Sequence, residues 1–472
     1  IELTGSFTQT TSGEMDFKLD FSDYKIDTLD VSFDARLSGT LDVSSFNTNL
    51  VRPGYYQLAF VRSASLTPAG LNLKIAPSAI ARYSLLYSSN TAFLGLDINF
   101  AGFGTLNRNQ TSIGKYINRV QNIGSTPQLA TLTSSLFKLP TAQDLASSYN
   151  TLSSEVYTSA FTNLKFALAE FIDSMVSCPQ PDTKNQFIAE GECVWAVGTG
   201  NRYTSQGTFE YFGFDSISGG IASGAQFDLG DDVYLGLSLG RTSHSSSITS
   251  GSNSNRSVSA GLTGSSWQGG FSLKKVFNKF KLALSAAGGK ASFDGFRNNV
   301  FPLRSRANGT QNIGFFGADI RASHDIPLGA NSYLRPAIKL AYQGMQQGGF
   351  KESGADAVNL RVTSTYQDYF IVNPSIELGS EYKINSVVTR PRINLGYAGY
   401  YGSTNLSSSF QGAPSSVSPF LINGLVDENY FNAILGIDLI FKNGVVVSAE
   451  YDSMYSGSSQ MQGGMVKVSI PF

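Results

Sequence analysis

The sequence predicts an all-β membrane protein: an antiparallel transmembrane β-barrel of about twelve strands, with an α-helix in its lumen and a β-solenoid at its N-terminus. Three observations support this prediction: the composition, the alternation of the last strands, and the unequal lengths of the connections between strands. The 472 residues allow two or more domains, only 15% of them are charged, and Gly (48), Tyr (22) and Phe (33) are abundant. Low charge with many aromatic residues is typical of strands whose outer face meets lipid.

The end of the chain alternates strictly between apolar and polar residues. In the last strand the apolar positions are Val466, Val468, Ile470 and Phe472. Since the chain stops within a strand, that edge needs a partner, and the most economical partner is the first strand of the same barrel, near 194–202. Such a closed barrel indicates the bacterial outer membrane. A mean hydropathy of -0.06 argues against a helical membrane protein, and a net charge of -1 gives no reason to expect nucleic acid.

Residues 1–105 alternate in the same way, with Gly and Asp between the strands. Met15, Phe17 and Leu19, for example, are separated by charged residues. Short strands with one apolar face at regular spacing suit the turns of a β-solenoid, although a small sandwich stays open. No signal peptide precedes Ile1, which indicates a processed C-terminal portion of a longer exported precursor.

Residues 106–191 change to helical spacing. Residues 106–140 predict two short helices. Thr141 with Asp144 three residues later then resembles a capping box, which predicts one long helix over 142–176 within a linker of residues 141–191. At 1.5 Å per residue this helix would be about 50 Å long, enough to traverse the barrel lumen from end to end.

Residues 192–472 read as strands joined alternately by short turns and long loops. The predicted strands are 192–203, 208–229, 233–243, 255–276, 280–293, 310–327, 332–345, 361–384, 387–402, 425–441, 445–454 and 461–472. The predicted long loops are 244–254, 294–309, 346–359 and 403–424. Short periplasmic turns and long external loops are typical of bacterial barrels, and an even strand count places both ends of the barrel at the periplasmic face.

Two cysteines, Cys178 and Cys193, bracket the junction between helix and barrel. In an exported protein two nearby cysteines favour a disulfide, here at the periplasmic end, with a pair of free thiols as the alternative. They offer no zinc site, because the two histidines, His244 and His324, lie elsewhere in the sequence. We expect neither a cofactor nor a metal.

Charged side chains occupy the alternate positions of the predicted strands that are expected to face the lumen. They are Lys281, Arg335, Lys339, Glu377, Glu381, Arg392, Asp438, Glu450 and Asp452. One interpretation is a solvated pore wall of mixed sign. The sharper interpretation is that they bind the luminal helix, at Glu155, Lys165, Glu170 or Asp173.

The histidines give no reason to predict an enzyme. Barrel hydrolases need a His partnered with carboxylates or a Ser. His244 is expected at a loop edge and His324 near a short turn, at opposite ends of the barrel, and no Gly-x-Ser-x-Gly motif is present.

Several segments, in this order, resemble the classical monomeric autotransporters of type V secretion. TGSFTQ (4–9), DTLDV (27–31) and LSGTL (37–41) are similar to the last turns of the family's passenger. LNRNQ (106–110) resembles the segment that follows the passenger, and LSSEVY (152–157) resembles the run before the barrel, with Ser154 in place of Gly. Trp195 with Gly198 resembles the start of the first strand. Two features depart from the family: the cysteine pair, and the absence of the paired asparagines that one subgroup uses for passenger cleavage.

The resemblance implies an outer-membrane translocator that delivers its own N-terminal passenger to the cell surface and anchors it, with the luminal helix as tether and plug. It implies that Val466, Val468, Ile470 and Phe472 are a signal for the barrel assembly machinery. The implied partners are outer-membrane lipids, that machinery, periplasmic chaperones and the passenger itself, with the protein a monomer and residues 1–105 at the cell surface. The alternative is a surface adhesin or a porin-like channel whose barrel is only an anchor or a pore.

Overall fold

The fold is that of a computed structural model, which describes residues 1–176, 178–179, 187, 190–249, 258–425 and 427–472. A region of parallel strands comes first, four α-helices follow, and a closed antiparallel sheet completes the chain. No helix in the described residues is both long enough and apolar enough to cross a bilayer.

The first region is a β-solenoid. Its strands are β1 (Glu2–Leu3), β2 (Phe7–Thr8), β3 (Glu14–Asp20), β4 (Lys25–Ile26), β5 (Leu29–Val31), β6 (Asp34–Phe46), β7 (Gly54–Arg62), β8 (Ser65–Ile75), β9 (Ala81–Tyr87) and β10 (Thr91–Ile98). Successive turns pair in parallel: β1, β5 and β7 form one face, and β6 pairs with β2, β3 and β8 on another. Alternate residues such as Leu19, Leu37 and Leu94 are fully buried between the faces. Parallel stacking of successive turns distinguishes a solenoid from an antiparallel sandwich, so the solenoid prediction is confirmed.

Four helices follow the solenoid. They are α1 (Arg108–Asn122), α2 (Ala130–Phe137), α3 (Ala142–Leu152) and α4 (Ser159–Ser174), with a 3₁₀ turn at Glu155–Thr158. Asn107 caps α1 through a capping box with Gln110, and the Thr141 side chain accepts a hydrogen bond from the backbone of Asp144 at the start of α3. Phe100 and Tyr116 are buried where the helices pack against the end of the solenoid.

The prediction of one unbroken helix over 142–176 is wrong. Ser153 leaves the helical conformation with ψ 143°, and its hydroxyl accepts a hydrogen bond from the backbone N–H of Glu155 at 3.2 Å. Serine side chains favour such local bonds at helix ends, so Ser153 and Ser154 separate two helices. The remaining α4 has 16 residues and is about 24 Å long, half the predicted length.

The barrel wall and its external loops comprise the remaining strands. They are β11 (Cys193–Ser205), β12 (Gly213–Asp228), β13 (Val233–Thr249), β14 (Ala260–Phe277), β15 (Phe280–Val300), β16 (Ser305–His324), β17 (Ile326–Pro327), β18 (Ser332–Gln347), β19 (Phe350–Lys351), β20 (Leu360–Val362), β21 (Thr365–Ser380), β22 (Tyr382–Ile384), β23 (Val387–Gly402), β24 (Asn405–Phe410), β25 (Phe420–Asn423), β26 (Asn429–Ile440), β27 (Val446–Tyr455) and β28 (Ser459–Pro471).

Twelve of these strands close the barrel in the part of the chain that the structure describes. Each pairs antiparallel with the next, the short β17 and β22 extend the wall at its edge, and β28 pairs with β11 to complete the circle. Val194 aligns with Ile470 and Arg202 with Gln462 across that seam. The predictions of about twelve strands and of closure between the last strand and the first are therefore confirmed.

The predicted long loops contain strands that were not predicted from the sequence. Residues 294–309 continue β15 and β16 beyond the membrane and turn only at 301–304. The loops at 346–359 and 403–424 contribute β19, β24 and β25. Together with β20, which follows the first of these loops, they form a separate four-stranded sheet, here called the mouth sheet. Leu406, Phe410 and Phe420 are buried under it, because their apolar side chains alternate with serines and other polar residues. The predicted loop at 244–254 lies partly outside the described residues, and its described part belongs to β13 up to Thr249.

Candidate functional site in the barrel lumen

Helix α4 lies inside the barrel and packs against β12, β13, β14, β15 and β16. Asn163 is buried and fixed by two wall serines: it donates to Ser246 Oγ at 2.8 Å and accepts from Ser216 Oγ at 2.6 Å. On another strand, Gln343 donates to the backbone carbonyl of Lys165 at 3.2 Å. The helix is therefore held by specific polar bonds in addition to its apolar contacts.

Lys165 projects from α4 into a cluster of aromatic rings. Its Nζ lies 4.5 Å from the ring centre of Tyr400, 4.7 Å from Phe166, 5.5 Å from Tyr369 and 5.8 Å from Tyr430. The ring faces attract an ammonium group, and the attraction is stronger where water is excluded. Lys165 is 2% exposed, so its ammonium group is shielded from water within this cluster.

The periplasmic half of α4 carries two acidic side chains that meet the wall. Asp173 forms an ion pair with Arg321 and accepts hydrogen bonds from Lys339 at 3.3 Å. Glu170 accepts a hydrogen bond from Asn201 at 3.1 Å. These contacts fix the rotation of the helix about its axis.

The last carbonyls at the C-terminal end of α4 are bound by side chains of the barrel wall. Lys467 Nζ donates to the carbonyl of Ser174 at 2.8 Å, Ser272 Oγ donates to that of Met175 at 3.2 Å, and Lys274 Nζ donates to that of Val176 at 2.8 Å. The last carbonyls of a helix have no partner within it, and they carry the negative end of the helix dipole. Two lysines and a serine from β14 and β28 therefore satisfy both the hydrogen-bonding and the electrostatic demand of this end.

A buried carboxylate lies just beyond this cap. Glu190 accepts hydrogen bonds from Lys274 at 2.7 Å, Lys281 at 3.0 Å and the backbone N–H of Cys178 at 2.9 Å. Burial alone would raise the pKa of Glu190, but the two ammonium groups outweigh it and hold that pKa well below its usual range. In the structure Cys178 and Cys193 are joined by a disulfide, with their Cα atoms 6.2 Å apart and both residues buried.

Most of the charged wall residues that the sequence singles out pair with one another. Arg335 binds Asp325 and Glu377, while Glu381 pairs with Arg390. A second cluster joins Arg392 to Asp438 and Glu450. Of the predicted wall contacts, Lys339 reaches α4 itself and Lys281 reaches Glu190 beyond it. Opposite charges on neighbouring strands are thus the nearest partners of most of these wall residues, as the interpretation of a wall of mixed sign predicts.

Three further cations of the lumen, Arg321, Lys274 and Lys467, were not among the residues predicted from the sequence. Arg321 lies between Ile320 and Ala322, and Lys467 lies between Val466 and Val468, whereas Lys274 is followed by the outward Lys275. A single basic residue between two apolar outward residues is the signal that could have identified Arg321 and Lys467. His244, expected at a loop edge, instead lies buried within β13, with Nε2 3.2 Å from Ser266 Oγ.

The lumen is not filled evenly. A cavity of about 310 Å³ lies beside α4, on the side of β18, β23, β26 and β27. Its lining includes Glu170, Asp173, Lys339, Asn373, Asn432 and Asp452. The helix therefore packs against one half of the wall and leaves a cavity of mixed polar and apolar lining along the other.

The external mouth of the barrel binds the chain just before α4. The Glu155 carboxylate accepts from Asn109 Nδ2 at 2.9 Å and from the backbone N–H of Phe212 at 2.7 Å. These two hydrogen bonds favour the charged form and lower the pKa of Glu155. Burial has the larger effect and raises that pKa to about 8. Glu155, predicted as a luminal contact, therefore joins α1 to an external loop.

The mouth sheet and β15 also meet in a buried ion pair. Arg297 and Glu352 bind each other with side-chain exposures of 2% and 0%. Tyr157 OH and the backbone N–H of Leu360 donate to the same carboxylate at 2.8 and 2.7 Å. Tyr116 of α1 packs edge-on against Phe410, with ring centres 5.4 Å apart. Helices and mouth sheet thus form a continuous packed unit on top of the barrel.

Comparison with known proteins agrees with this architecture. The translocator domain of the autotransporter NalP from Neisseria meningitidis has the same fold, with a TM-score of 0.52 and 16% identity over 67% of this chain and 98% of that one. The transport unit of AIDA-I from Escherichia coli aligns with a TM-score of 0.47 and 14% identity over 67% of this chain and 98% of that one. No curated protein matches the sequence. The sequence model of the family described as Autotransporter beta-domain matches residues 194–452, more than half of the chain, and the protein therefore belongs to that family.

Proposed function

We propose that α4 is both the tether that retains the passenger and the plug of the barrel. Family membership makes the barrel an outer-membrane translocator of its passenger in a Gram-negative bacterium. The observation that supports the role of α4 best is the cap at its C-terminal end, where Lys274, Lys467 and Ser272 hold three consecutive carbonyls. Force applied to the passenger from outside the cell would meet these bonds and the disulfide behind them.

The domain division follows from this proposal. Residues 1–105 are the last turns of the passenger at the cell surface, where they nucleate its folding. Residues 106–140 are the helical segment between stem and barrel, residues 141–191 carry the tether, and residues 192–472 are the translocator. The alternative, a porin-like channel, gives no role to an internal helix with this number of specific wall contacts.

Deleting α4 should convert the barrel into an open pore. Without residues 159–176 the lumen loses the helix and the Lys165 cluster together, so single-channel conductance in planar bilayers should rise several-fold and become steady. The matched control deletes α2, residues 130–137, which lies among the helices before the barrel. An equally high conductance in the full chain, or no rise on deleting α4, would favour the porin alternative.

We also propose that β28 is read by the barrel assembly machinery, with periplasmic chaperones as further partners and the barrel as a monomer. Phe472 supports this proposal, because it is 62% exposed and makes one ring contact, with Phe227 at 5.9 Å. Its burial in lipid stabilises the barrel by only about 1.5–3 kcal/mol. The Phe472 side chain therefore contributes little to the stability of the folded barrel, and its exposure leaves it accessible to a receptor.

Removing Phe472 should cut the amount of barrel in the membrane while leaving the heat resistance of assembled barrels nearly normal. Quantitative immunoblots of outer membranes, with heat-modifiability on gels, measure the two effects separately. Phe441→Ala, at another exposed aromatic near a periplasmic turn, is the matched control. Normal membrane levels with a lowered melting temperature would make Phe472 an ordinary interface aromatic.

A further inference from the structure

The outer wall of the barrel carries a basic and aromatic row on three adjacent strands. In the sheet, Arg241 of β13 aligns with Trp267 of β14, and Trp267 aligns with Lys290 of β15. All three side chains are exposed on the outer face, Trp267 to 63%. Neighbouring strands lie about 4.8 Å apart, so the two basic residues start about 10 Å from each other and their flexible ends can approach a single group.

The row lies where the wall leaves the hydrocarbon on the extracellular side. Between the periplasmic turns and the row, outward positions are mostly apolar and exposed: Leu237, Leu239, Phe271, Leu273 and Leu284. From 233 at the start of β13, Arg241 is the ninth residue, and a tilted membrane strand needs about 9–11 residues. Tryptophan, like tyrosine, is enriched at this interface.

Beyond the row, the outer face turns to hydroxyl groups. The outward side chains are Ser243, Ser245, Thr263, Ser265 and Ser292. These strands continue to Thr249 and Val300, well past the length that a membrane requires. The outer face of β13, β14 and β15 therefore carries hydrogen-bonding groups at the height of lipid headgroups.

The positive charge of the row is not compensated by its described neighbours. The Arg241 guanidinium lies 5.2 Å from the ring centre of Trp267. Among the described residues, no carboxylate forms an ion pair with Lys290. Two outward carboxylates lie nearby, and each has another partner. Asp294, four residues beyond Lys290 on β15, accepts a hydrogen bond from the Thr310 hydroxyl, and Asp215 forms an ion pair with Arg202. On β18 to β27 the same height is occupied by exposed tyrosines, including Tyr342, Tyr366 and Tyr397.

We infer that Arg241, Trp267 and Lys290 form a binding site for the phosphate of a phosphorylated glycolipid in the outer leaflet. A guanidinium fork and an ammonium group bind phosphate oxygens, the indole packs against the lipid at the interface, and the hydroxyls above meet its sugar. The site depends on the placement of the barrel in the outer membrane. It depends neither on α4 nor on passenger delivery, so it can fail while the proposed function stands.

The test uses Trp267 as its own probe. The chain has two tryptophans, and Trp195→Phe leaves Trp267 as the single one. The full-length variant, folded in a zwitterionic detergent, is titrated with bis-phosphorylated lipid A while Trp267 fluorescence is recorded. Each interfacial charge contributes about 1 kcal/mol to binding. Arg241→Gln and Lys290→Gln should therefore each raise the lipid concentration at half-saturation about fivefold, and the double variant should raise it about 25-fold. Arg241→Lys with Lys290→Arg should restore binding.

Three controls decide between sources of the signal. Dephosphorylated lipid A with the same acyl chains should bind far more weakly, and inorganic phosphate alone should give no response in the same range. Lys275 is an outward lysine at the periplasmic end of β14, the strand that carries Trp267, and Lys275→Gln should bind the lipid like the parent. Heat-modifiability on gels verifies that each variant is folded. An equal response to the dephosphorylated lipid, saturation by inorganic phosphate, or unchanged binding in the double variant would overturn the proposal.

Discussion

Replacing Glu352 with Ala is expected to loosen the external mouth by about 3–5 kcal/mol, because it leaves the Arg297 guanidinium buried without its partner. Tyr157 OH and the backbone N–H of Leu360 lose the same acceptor. Local opening would then become more frequent by a factor on the order of 10²–10⁴. Hydrogen exchange should show it in residues 142–158 and 350–362, with the barrel strands unchanged.

A paired variant sharpens this prediction. Arg297→Met with Glu352→Leu removes both charges and fills similar volume, and such replacements of buried ion pairs are often neutral. The double variant should therefore recover much of the protection that Glu352→Ala loses. Lys351→Ala, an exposed neighbour, should have no effect. Uniform exchange in all four proteins would mean that the ion pair contributes nothing to the closed mouth.

Substituting Lys274 and Lys467 with Met should release the C-terminal end of α4. Each removes a charge-assisted hydrogen bond to a helix carbonyl, which contributes about 1.5–3 kcal/mol, and a favourable interaction with the helix dipole. We expect the plug to leave its closed position at least 100-fold more often, recorded as brief openings in single-channel traces. The wall should stay intact, since both residues point into the lumen.

The controls separate anchoring from general stability. Lys274→Arg with Lys467→Arg keeps both charges and should restore long closures. Lys275→Met, the next residue but on the outer face, should behave like the parent. If the double Met variant stays closed while its barrel melts at a lower temperature, the lysines stabilise the wall and do not hold the helix.

Local sequence patterns were sufficient to predict the strands of the barrel wall, and they were insufficient to predict which wall residues bind the helix. Period-two alternation and turn residues such as Asn443-Gly444 are short-range, so predicted strand bounds lie within a few residues of β18, β23 and β27. Which wall residues face α4 depends on the stagger of the strands around the barrel and on the rotation of the helix. Neither is encoded in the sequence around Lys274 or Lys467.

The break at Ser153 was missed for a related reason. Leu152 and Val156 are four residues apart, so the apolar helical spacing runs on across the break. The mouth sheet was missed because Ser-rich and Gly-rich segments are typical of loops, and its strands are stabilised by packing on distant groups such as Tyr116. Packing between distant segments overrides local preference in both cases.

The mouth sheet has a consequence for the energy source of export. Asn109, Tyr116 and Tyr157 meet their partners on that sheet and on the external strand ends only from outside the cell. The free energy of docking is therefore released on one side of the membrane, and backward sliding would have to return all of it. Docking of the helices on the mouth sheet therefore favours the position in which they lie outside the barrel and opposes their return through the lumen.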